Sequence, residues 1–465
     1  MTIDVIDSAN EEVFLTVAEA QAPDIDKAVA AARAAFDQGP WPRMTPGERA
    51  VWLNRIADAL EKRADSVADT WTMEAGVLRA ISANGAKGIA ATYRYYAGLA
   101  ETFAWEEKHQ SSNGQRALLV REPVGVVAAI IPWNGPGSLM AYKSAPALIA
   151  GCTIIIKASP EAPASPYLLA EVCEEIGLPA GVVNVLTADR EVSELLVRNP
   201  GVDKVSFTGS TLAGRKIASI CGERIARCTL ELGGKSPGVI LDDYDLGKAA
   251  TAIASFAPFL SGQVCSSLTR IIVSEKRHDD FVDALSHAFE QIRVGDPFDP
   301  ASQMGPLAME RQRERVESYI AQGKAEGARL ATGGGRPAHL NAGYYVEPTV
   351  FGNVDNNFTI AREEIFGPVV SVIPASSEED AVAIANDTIY GLNSSVFTND
   401  PERAYAVGRQ LRAGTVGHNR FHTDFSIAFG GFKQSGIGRE GGVEGLHPYL
   451  ETKTMIFDEA ADTDH

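Results

Sequence analysis

A carboxylate and a cysteine in the middle of the chain could together perform covalent catalysis. Glu231 opens the segment Glu-Leu-Gly-Gly-Lys-Ser-Pro (231–237), and Cys265 lies in Gly-Gln-Val-Cys-Ser (262–266). A thiolate is a strong nucleophile, but at a free pKa of about 8.5 little of it is ionised near neutral pH. A carboxylate can act as general base for the thiol, or for a water that later attacks a thioester. The alternative from these segments alone is a surface acid and a buried, inert thiol.

The composition is that of a globular protein without affinity for nucleic acid. With 465 residues, the chain is long enough for about three domains of ordinary size, or for two larger ones. Hydrophobic residues make up 45% and charged residues 22%, and no apolar stretch is long enough for a membrane span. The formal net charge of -18 would repel a phosphate backbone. The N-terminus lacks the pattern of a secretory signal, so we expect a cytoplasmic protein.

The cysteines predict reduced thiols and no metal site. They are odd in number and form no Cys-x-x-Cys pair: Cys152, Cys173, Cys221, Cys228 and Cys265. This pattern disfavours both a disulfide framework and structural zinc. Cys173 shares the apolar face of a predicted helix, so we assign it to the core. Cys265 differs because polar and small residues flank it.

Short apolar runs alternate with helical stretches from residue 125 onward. The runs at 126–131, 153–156, 182–186 and 205–207 are typical of buried parallel strands. Helices are predicted between them, at 139–150 and 167–176. This order is that of a doubly wound α/β sheet that binds nucleotides, in which ligands lie at the carboxyl ends of the strands.

Other elements are predicted on both sides of this sheet. Asp24 is a candidate cap for a first helix, and Thr45 to Glu48 form a capping box for a second. Asn113-Gly114 between alternating flanks predicts a hairpin over 106–122 that projects as an arm. After Cys265, a strand at 270–273 and a helix at 279–292 predict a second α/β unit.

The end of the strand at 205–207 could hold a phosphate group. Gly209 allows close backbone approach, and Ser210 begins a helix that continues through Gly214. A helix N-terminus offers free N–H groups and a partial positive charge to an anion. The alternative is an ordinary serine N-cap.

Two other strand ends carry polar side chains. Trp133 and Asn134 follow the first strand, and the Asn134 amide could donate to an oxyanion. Its alternative role is to brace the following turn. Lys157 follows the second strand, where it could reach a ribose or phosphate, or project into solvent.

The order of these motifs resembles that of the NAD(P)-dependent aldehyde dehydrogenase family from about residue 25 to residue 453. Six separate segments carry the resemblance: Ile-Pro-Trp-Asn (131–134), Phe-Thr-Gly-Ser-Thr (207–211), Glu-Leu-Gly-Gly-Lys-Ser-Pro (231–237), Gly-Gln-Val-Cys (262–265), Glu-Glu-Ile-Phe-Gly-Pro-Val (363–369) and Phe-Gly-Gly-Phe-Lys-Gln-Ser-Gly (429–436). The resemblance implies oxidation of an aldehyde to a carboxylic acid through a cysteine thiohemiacetal and thioester. It implies no metal.

The resemblance also implies roles for individual residues. Cys265 would be the nucleophile, Glu231 the base, and Asn134 part of the oxyanion hole with the backbone N–H of Cys265. Lys143 and Glu440 match supporting proton-relay positions near the base. The implied cofactor contacts are Ile131, Trp133, Lys157, Gly209, Ser210, Gly214, Glu364 and Phe366.

The implied architecture has three parts. A Rossmann-like cofactor domain would comprise 1–104 and 123–233, and an α/β catalytic domain 234–446. A small β arm for oligomerisation would comprise 105–122 and 447–465, and we expect a homodimer or homotetramer.

Two departures from the family pattern bear on cofactor and substrate. The family commonly has Lys-Pro-Ser-Glu where this chain has Lys-Ala-Ser-Pro-Glu (157–161), which moves the ribose-binding acid by one residue. We therefore expect NAD as cofactor, with NADP also allowed.

At three positions that line the substrate tunnel in the family, this chain has small or polar residues where large apolar or aromatic ones are common. The resemblance places three further residues near the same tunnel. These residues are Gly135, Ser138 and Tyr142, with Val264, Phe421 and Phe429. A bulky apolar or aromatic aldehyde is the resulting expectation.

Two other functions are compatible with the same motifs. In a CoA-acylating aldehyde dehydrogenase, CoA attacks the thioester instead of water, but Glu231 favours hydrolysis because hydrolysis depends more on a base. A non-catalytic binding protein of the same fold is disfavoured because Cys265, Glu231 and Asn134 are all present.

Overall fold

The computed structural model describes residues 1–460, with side chains described through residue 458. Residues 461–465 of the predicted arm lie outside the described residues. The α-helices are α1 Ala22–Asp37, α2 Pro46–Glu61, α3 Ala64–Ala75, α4 Arg79–Thr102, α5 Pro136–Ala150, α6 Ala164–Glu175, α7 Arg190–Arg198, α8 Thr211–Arg224, α9 Leu246–Phe256, α10 His278–Glu290, α11 Glu310–Ala325, α12 Thr359–Arg362, α13 Glu378–Asn386 and α14 Pro401–Gly408. The strands are β1 Thr2–Ile6, β2 Val13–Ala18, β3 Glu106–Gln110, β4 Gln115–Pro123, β5 Val126–Ile130, β6 Thr153–Ala158, β7 Val183–Thr187, β8 Lys204–Thr208, β9 Arg227–Glu231, β10 Ser236–Ile240, β11 Leu268–Ser274, β12 Arg329–Thr332, β13 Thr349–Gly352, β14 Val369–Ala375, β15 Asn393–Phe397, β16 Thr415–His418, β17 Gly436–Ile437 and β18 Leu450–Ala460.

The first sheet has the strand order β17-β9-β8-β5-β6-β7, and β5 to β9 run parallel. Every residue of β5, β6 and β8 is buried, as expected for parallel strands with helices on both faces. The predicted doubly wound segment from 126 to 207 is confirmed. Because β5 lies between β6 and β8, the chain changes direction across the sheet at β5, and ligands bind at such a point. Asn134 follows β5 there, and Ser210 follows β8.

The second sheet has the order β12-β13-β14-β11-β10-β15-β16. β12 is antiparallel to β13, and the other neighbours are parallel. Apolar residues of α9 and α10 cover one face, and those of α11, α13 and α14 cover the other. The predicted strand and helix after Cys265 are β11 and α10. The chain thus contains a second α/β unit, and Cys265 lies on the connection that enters β11.

The third sheet is antiparallel, with the order β18-β4-β3. The predicted hairpin is confirmed: β3 pairs with β4, and Gly114 in the turn has a φ of 82° that favours glycine. Met455 and Ile456 of β18 are exposed. The fold therefore consists of two α/β units and a small β arm.

The residues ahead of the first predicted helix form an element that was not predicted from the sequence. β1 and β2 form an antiparallel hairpin over residues 2–18. Within its two strands only Val5 and Val17 are buried, so the alternation of apolar and polar residues is too weak to recognise from sequence.

The two predicted helix starts have different outcomes. The capping box is confirmed, since Thr45 Oγ1 accepts from Glu48 N–H at 3.2 Å and Glu48 accepts from Thr45 N–H at 2.7 Å. The prediction of Asp24 as a cap was wrong. Gln21 is the cap residue, and Asp24, in the first turn of α1, accepts from Gln21 N–H at 3.0 Å. Pro23 at the start of α1 places the helix boundary ahead of Asp24.

The helices within residues 1–460 include none that is long and apolar enough to cross a membrane.

Candidate active site

A cavity of about 570 Å³ opens at the carboxyl ends of β5, β8 and β9 and is closed by loops of the second sheet. It brings together eight of the residues singled out in the sequence. These are Trp133, Asn134, Gly209, Ser210, Glu231, Cys265, Glu364 and Phe366. Residues more than 200 positions apart in the chain thus meet around one space, as a catalytic site requires.

Five other sequence-predicted residues are not part of the cavity lining. Ile131 continues β5, and its N–H donates to Lys157 O at 3.2 Å. Lys157 is 8% exposed, and burial lowers the pKa of its ammonium group to about 8. Gly214 lies within α8, where a Cβ would collide with the side chain of Leu232. The remaining two, Lys143 and Glu440, form a buried pair described below.

The loop that carries Cys265 has an unusual backbone. Leu260, Ser261 and Gly262 have φ values of 48°, 54° and 74°, in the left-handed region that non-glycine residues rarely adopt. Ser261 Oγ donates to Gly305 O at 2.9 Å, which holds this turn. Gln263 is 1% exposed, and its side chain accepts from Ala308 N–H at 3.0 Å. These contacts fix the backbone that leads into Cys265.

Asn134 is joined to the same loop. Its side-chain amide donates to Gln263 O at 2.9 Å, and its backbone oxygen accepts from Trp71 Nε1 at 3.0 Å. The side chain therefore reaches across the cavity to the cysteine loop instead of capping its own turn. An amide group has a second N–H, which remains available for a ligand.

The surroundings of Cys265 keep its thiol protonated. Burial raises the pKa of Cys265 well above its ordinary value, and the nearby carboxylates of Glu364 and Glu231 raise it further. A neutral thiol is a poor nucleophile, so its activation needs a proton acceptor or a compensating positive charge.

Glu231 is a buried carboxyl group without a partner. It ends β9, is 2% exposed, and neither of its carboxyl oxygens has a hydrogen-bond partner among the described residues. Burial raises its pKa well above the ordinary value, and the negative charge of Glu440 adds to this. Buried polar groups normally find partners, so an unpaired carboxyl that lines a cavity indicates a water or substrate position.

A buried ion pair lies behind Glu231. Lys143 of α5 and Glu440 are 0% and 1% exposed, and the ammonium group donates to Glu440 Oε1. The other oxygen of Glu440 has no hydrogen-bond partner among the described residues. Glu440 is fixed by backbone hydrogen bonds in both directions with Phe429, which lines the cavity. The pair therefore connects the cavity wall to the environment of Glu231.

The other end of the cavity is suited to a ligand that carries a phosphate group and an aromatic ring. Ser210 is the cap residue of α8, and its Oγ accepts from Ala213 N–H at 3.3 Å. The N-cap interpretation is therefore correct, and the hydroxyl hydrogen remains free to donate to an anion at the same helix terminus. Trp133 and Phe366 meet edge to face, with ring centroids 5.3 Å apart.

Glu364 faces this end of the cavity from the second unit. Its Oε1 accepts from Gly234 N–H at 3.1 Å, and Arg315 donates to its backbone oxygen at 2.6 Å. Removal from bulk water raises the pKa of its carboxyl to about 7. The second carboxylate oxygen can accept a hydrogen bond from a ligand hydroxyl.

Aromatic rings surround the remaining part of the cavity. Tyr142 stacks on Phe425, and Phe425 stacks on Phe429, with centroids 4.2 Å apart in both contacts. Phe256 stacks on Phe421 on the other wall. Gly135, Ser138 and Val264 also line the cavity, as the resemblance implied.

Several lining residues were not found from the sequence: Arg190, Phe256, Phe259, Gln312, Arg315 and Phe425. They come from α7, α9, α11 and two loops, and no local motif marks them. Their contribution depends on how the two α/β units pack, which periodicity alone does not predict.

The cavity fits a dinucleotide beside the Cys265 thiol. It runs from the N-terminus of α8, which suits a pyrophosphate, past the Trp133 and Phe366 rings to Cys265. The unpaired Glu231 and the amide of Asn134 lie at the Cys265 end. The donor set contains hydroxyl, backbone N–H, carboxylate and aromatic groups, as nicotinamide nucleotide sites require.

A comparison with known protein families identifies the family that has this fold and this cavity. The chain matches the model of the aldehyde dehydrogenase family over residues 1–455, and it belongs to that family. It is an oxidoreductase that oxidises an aldehyde with NAD(P)+ as hydride acceptor. The fold, enzyme class and cofactor implied by the resemblance are confirmed.

Individual relatives cover nearly the whole chain. The geranial dehydrogenase of Castellaniella defragrans is 42% identical over 454 residues, which is 97% of this chain and 95% of that protein. The betaine aldehyde dehydrogenase of Sinorhizobium fredii is 42% identical over 438 residues, or 93% of this chain and 89% of that protein. The crystal structure of Mycobacterium tuberculosis aldehyde dehydrogenase complexed with NAD+ matches with a TM-score of 0.96 and 44% identity, covering 99% of this chain and 96% of that chain.

Proposed function

We propose that Cys265 is the nucleophile and Glu231 the general base of aldehyde oxidation. The observation that carries this proposal is the unpaired, buried carboxyl of Glu231 in the same cavity as the Cys265 thiol. A base that must accept a proton from water has to keep its oxygens free of competing donors.

The first half of the reaction forms a covalent adduct. The Cys265 sulfur bonds to the aldehyde carbon while its proton passes to Glu231 or to solvent, and the carbonyl oxygen becomes an oxyanion. The Asn134 amide and the backbone N–H of Cys265 stabilise that charge. Removal of one such donor in other enzymes costs about 3–4 kcal/mol of transition-state stabilisation. The Asn134 contact with Gln263 supports this role because it holds the amide beside the cysteine loop.

The residues at the other end of the cavity hold the cofactor. Ser210 and the N-terminus of α8 bind the pyrophosphate, Glu364 accepts from a ribose hydroxyl, and Trp133 with Phe366 flank the ring. Gly209 permits close approach, and Ile131, Lys157 and Gly214 shape the adenosine side. When bound, NAD(P)+ supplies the hydride acceptor. The protein orients the adduct so that the hydride leaves the carbon bonded to Cys265. The oxyanion re-forms the carbonyl as the hydride leaves, and a thioester remains on Cys265.

The second half of the reaction breaks the thioester. Glu231 takes a proton from water, the resulting hydroxide attacks the acyl carbon, and the carbon–sulfur bond breaks. The products are a carboxylic acid and the restored Cys265 thiol. The Cys265 sulfur takes up the proton that Glu231 removed from water, while Lys143 and Glu440 relay away the proton that the thiol gave up in the first half of the reaction. In sum, an aldehyde, NAD(P)+ and water give an acid, NAD(P)H and a proton.

NAD is the proposed cofactor, with NADP tolerated. Pro160 provides no carboxylate to repel a ribose phosphate. The nearby Glu161 is hydrogen-bonded to Ser159 and paired with Arg311, so it is already engaged. Competing titrations of NAD and NADP test this preference.

The proposed substrate is a bulky apolar or aromatic aldehyde. The stacked rings of Tyr142, Phe425 and Phe429 offer apolar faces, while Gly135 and Ser138 leave space beside them. The similarity to a geranial dehydrogenase supports the same class. An aldehyde panel with reduced cofactor as readout tests the proposal. A strong preference for acetaldehyde over terpenoid and aromatic aldehydes would contradict it.

The covalent step is tested by Cys265→Ala, with Cys173→Ala as a matched control in the core. We expect no turnover for the first variant and wild-type turnover for the second. Addition of CoA to the assay tests the acylating alternative, for which the product would be an acyl-CoA.

We also propose the domain division, assembly and compartment. The segments 1–104 and 123–233 form the cofactor domain, 234–446 the catalytic domain, and 105–122 with 447–465 the arm. The exposed Met455 and Ile456 on β18 support assembly through the arm into a homodimer or homotetramer. Sedimentation tests this assembly.

Five free cysteines support a reducing, cytoplasmic location. Fractionation of cells tests this location.

A further inference from the structure

Two hydroxyl groups complete the buried cluster behind Glu231. Ser206 Oγ lies 3.4 Å from Lys143 Nζ and 3.5 Å from Glu440 Oε1. The Tyr449 hydroxyl donates to Ser206 Oγ at 3.2 Å. All four residues are at most 1% exposed. The ion pair is thus solvated by side chains and not by bulk water.

The backbone fixes both hydroxyl residues. Ser206 is the middle residue of β8, in the centre of the first sheet. Tyr449 immediately precedes β18, and its backbone oxygen accepts from Val124 N–H at 3.0 Å. Its ring lies 5.0 Å from Lys204 Nζ. Burial raises the pKa of Tyr449 well above its ordinary value, so its hydroxyl stays protonated and can donate.

The hydrogen-bond geometry assigns each partner of Ser206. A serine hydroxyl has one hydrogen and two lone pairs. The lone pairs accept from Tyr449 and Lys143, which leaves the hydrogen for Glu440. Ser206 thus joins the side chains of Tyr449, Lys143 and Glu440, and it fixes the position of the Glu440 carboxyl.

We propose that Ser206 and Tyr449 are positioning residues that hold the Lys143 and Glu440 side chains in place behind Glu231, and so set how readily Glu231 gives up its proton. This inference rests on the proposed role of Glu231 as base. Neither hydroxyl touches the cavity, since both residues lie outside its lining.

The direction of the effect follows from the charges around Glu231. Glu440 raises the pKa of Glu231, while Lys143 and Arg439 lower it, and the influence of Glu440 is the largest of the three. The Cys265 thiol also faces it and is neutral at rest. Without the Ser206 hydroxyl, Glu440 Oε1 keeps only its contact with Lys143, so the carboxyl can shift toward the ammonium group and away from Glu231. At a greater distance the Glu440 carboxylate repels the Glu231 carboxylate less, so Glu231 ionises at lower pH.

The test compares two Tyr–Ser pairs in the full-length enzyme with NAD and an accepted aldehyde. The variants are Ser206→Ala and Tyr449→Phe. The matched controls are Ser144→Ala and Tyr93→Phe. The two hydroxyl groups form an equally buried hydrogen bond of 2.6 Å, and Ser144 follows Lys143 in sequence, but neither side chain is hydrogen-bonded to the ion pair. The first-turnover burst of reduced cofactor and the steady-state rate are measured across pH.

We expect the amplitude of the burst to be unchanged in Ser206→Ala. The acid limb of its steady-state profile should move about half a pH unit lower, so that below the midpoint the variant turns over about threefold faster than the wild type. Tyr449→Phe moves it in the same direction, and Ser206→Thr, which keeps a hydroxyl, restores the wild-type profile. Profiles identical to wild type in both variants, or an equal shift in the controls, would overturn the proposal. Turnover of Cys265→Ala at the wild-type rate would instead refute the proposed function. If Ser206→Ala does not fold, Tyr449→Phe decides the question.

Discussion

The side-chain amide of Asn134 donates to the carbonyl oxygen of Gln263 at 2.9 Å, two residues before Cys265. This contact joins the end of a central strand of the first sheet to the loop that carries the nucleophile. It fixes the distance between a hydrogen-bond donor and a thiol that belong to different α/β units. The proposed catalysis depends on this arrangement, because an oxyanion is stabilised best by donors that are already in place.

Replacement of Asn134 by alanine removes both the donor and the contact with the cysteine loop. We expect kcat/KM to fall by about 10²–10³, with little change in cofactor affinity. Asn184→Ala is the matched control, because that amide also donates to a backbone oxygen in the first sheet, at 2.8 Å from Gly181 O, but far from the cavity. Equal losses of kcat/KM in the two variants would contradict the role of Asn134.

Glycine at position 430 leaves room for the carboxyl group of Glu231. A Cβ there would lie 2.9 Å from Glu231 Oε1, and the φ of 153° is unfavourable for other residues. Gly430→Ala should displace the carboxyl and slow thioester hydrolysis by about 10²-fold, since a displacement of about 1 Å can cost that much. The control is Gly88→Ala, where a Cβ meets no neighbouring atom. A normal steady-state rate in Gly430→Ala would rule out this placement of the base.

The volume beside the aromatic rings should control substrate size. Ser138 lines the cavity next to Tyr142, so Ser138→Phe fills space that a large aldehyde would occupy. We expect kcat/KM for a terpenoid or aromatic aldehyde to fall at least about tenfold, which corresponds to about 1.4 kcal/mol. Activity with acetaldehyde should be retained and serves as the internal control. A parallel fall for both substrates would indicate general damage instead of a size filter.

Glu74 makes the stability of the protein depend on pH. It is 0% exposed, accepts from Ala164 N–H at 2.8 Å through Oε1, and burial raises its pKa from 4.5 to about 8. Between those values the folded protein keeps a proton that the unfolded chain has lost, so the free energy of unfolding falls as pH rises. Glu74→Gln keeps a carbonyl acceptor and removes the titration.

Thermal unfolding across that pH range measures this effect. The Tm of the wild type should fall between about pH 5 and about pH 8 by more than the Tm of Glu74→Gln. Glu48→Gln, which alters an exposed carboxyl, should follow the wild type. Identical slopes for wild type and Glu74→Gln would show that Glu74 does not titrate in this range.

The sequence predicted the first sheet well because its strands are short Val- and Ile-rich runs between helical stretches. It also predicted the residues that meet at the strand ends, since parallel strands present their carboxyl ends at one edge. The weak apolar pattern of β1 and β2 did not predict a hairpin. The left-handed turn at Leu260 and Ser261 has no sequence signal, because non-glycine residues rarely adopt it. Phe256 and Phe425 reach the cavity only through packing between distant segments.

The division of work between Cys265 and Glu231 is tested most directly by Glu231→Gln. Reduced cofactor is followed by stopped-flow absorbance with a saturating aldehyde, and the acyl-enzyme by mass spectrometry. We predict a burst of one hydride per subunit, followed by a steady-state rate at least about 10²-fold below wild type, with an acyl group retained on Cys265. Turnover at the wild-type rate without an accumulated acyl-enzyme would contradict the assignment of Glu231 as the base that breaks the thioester.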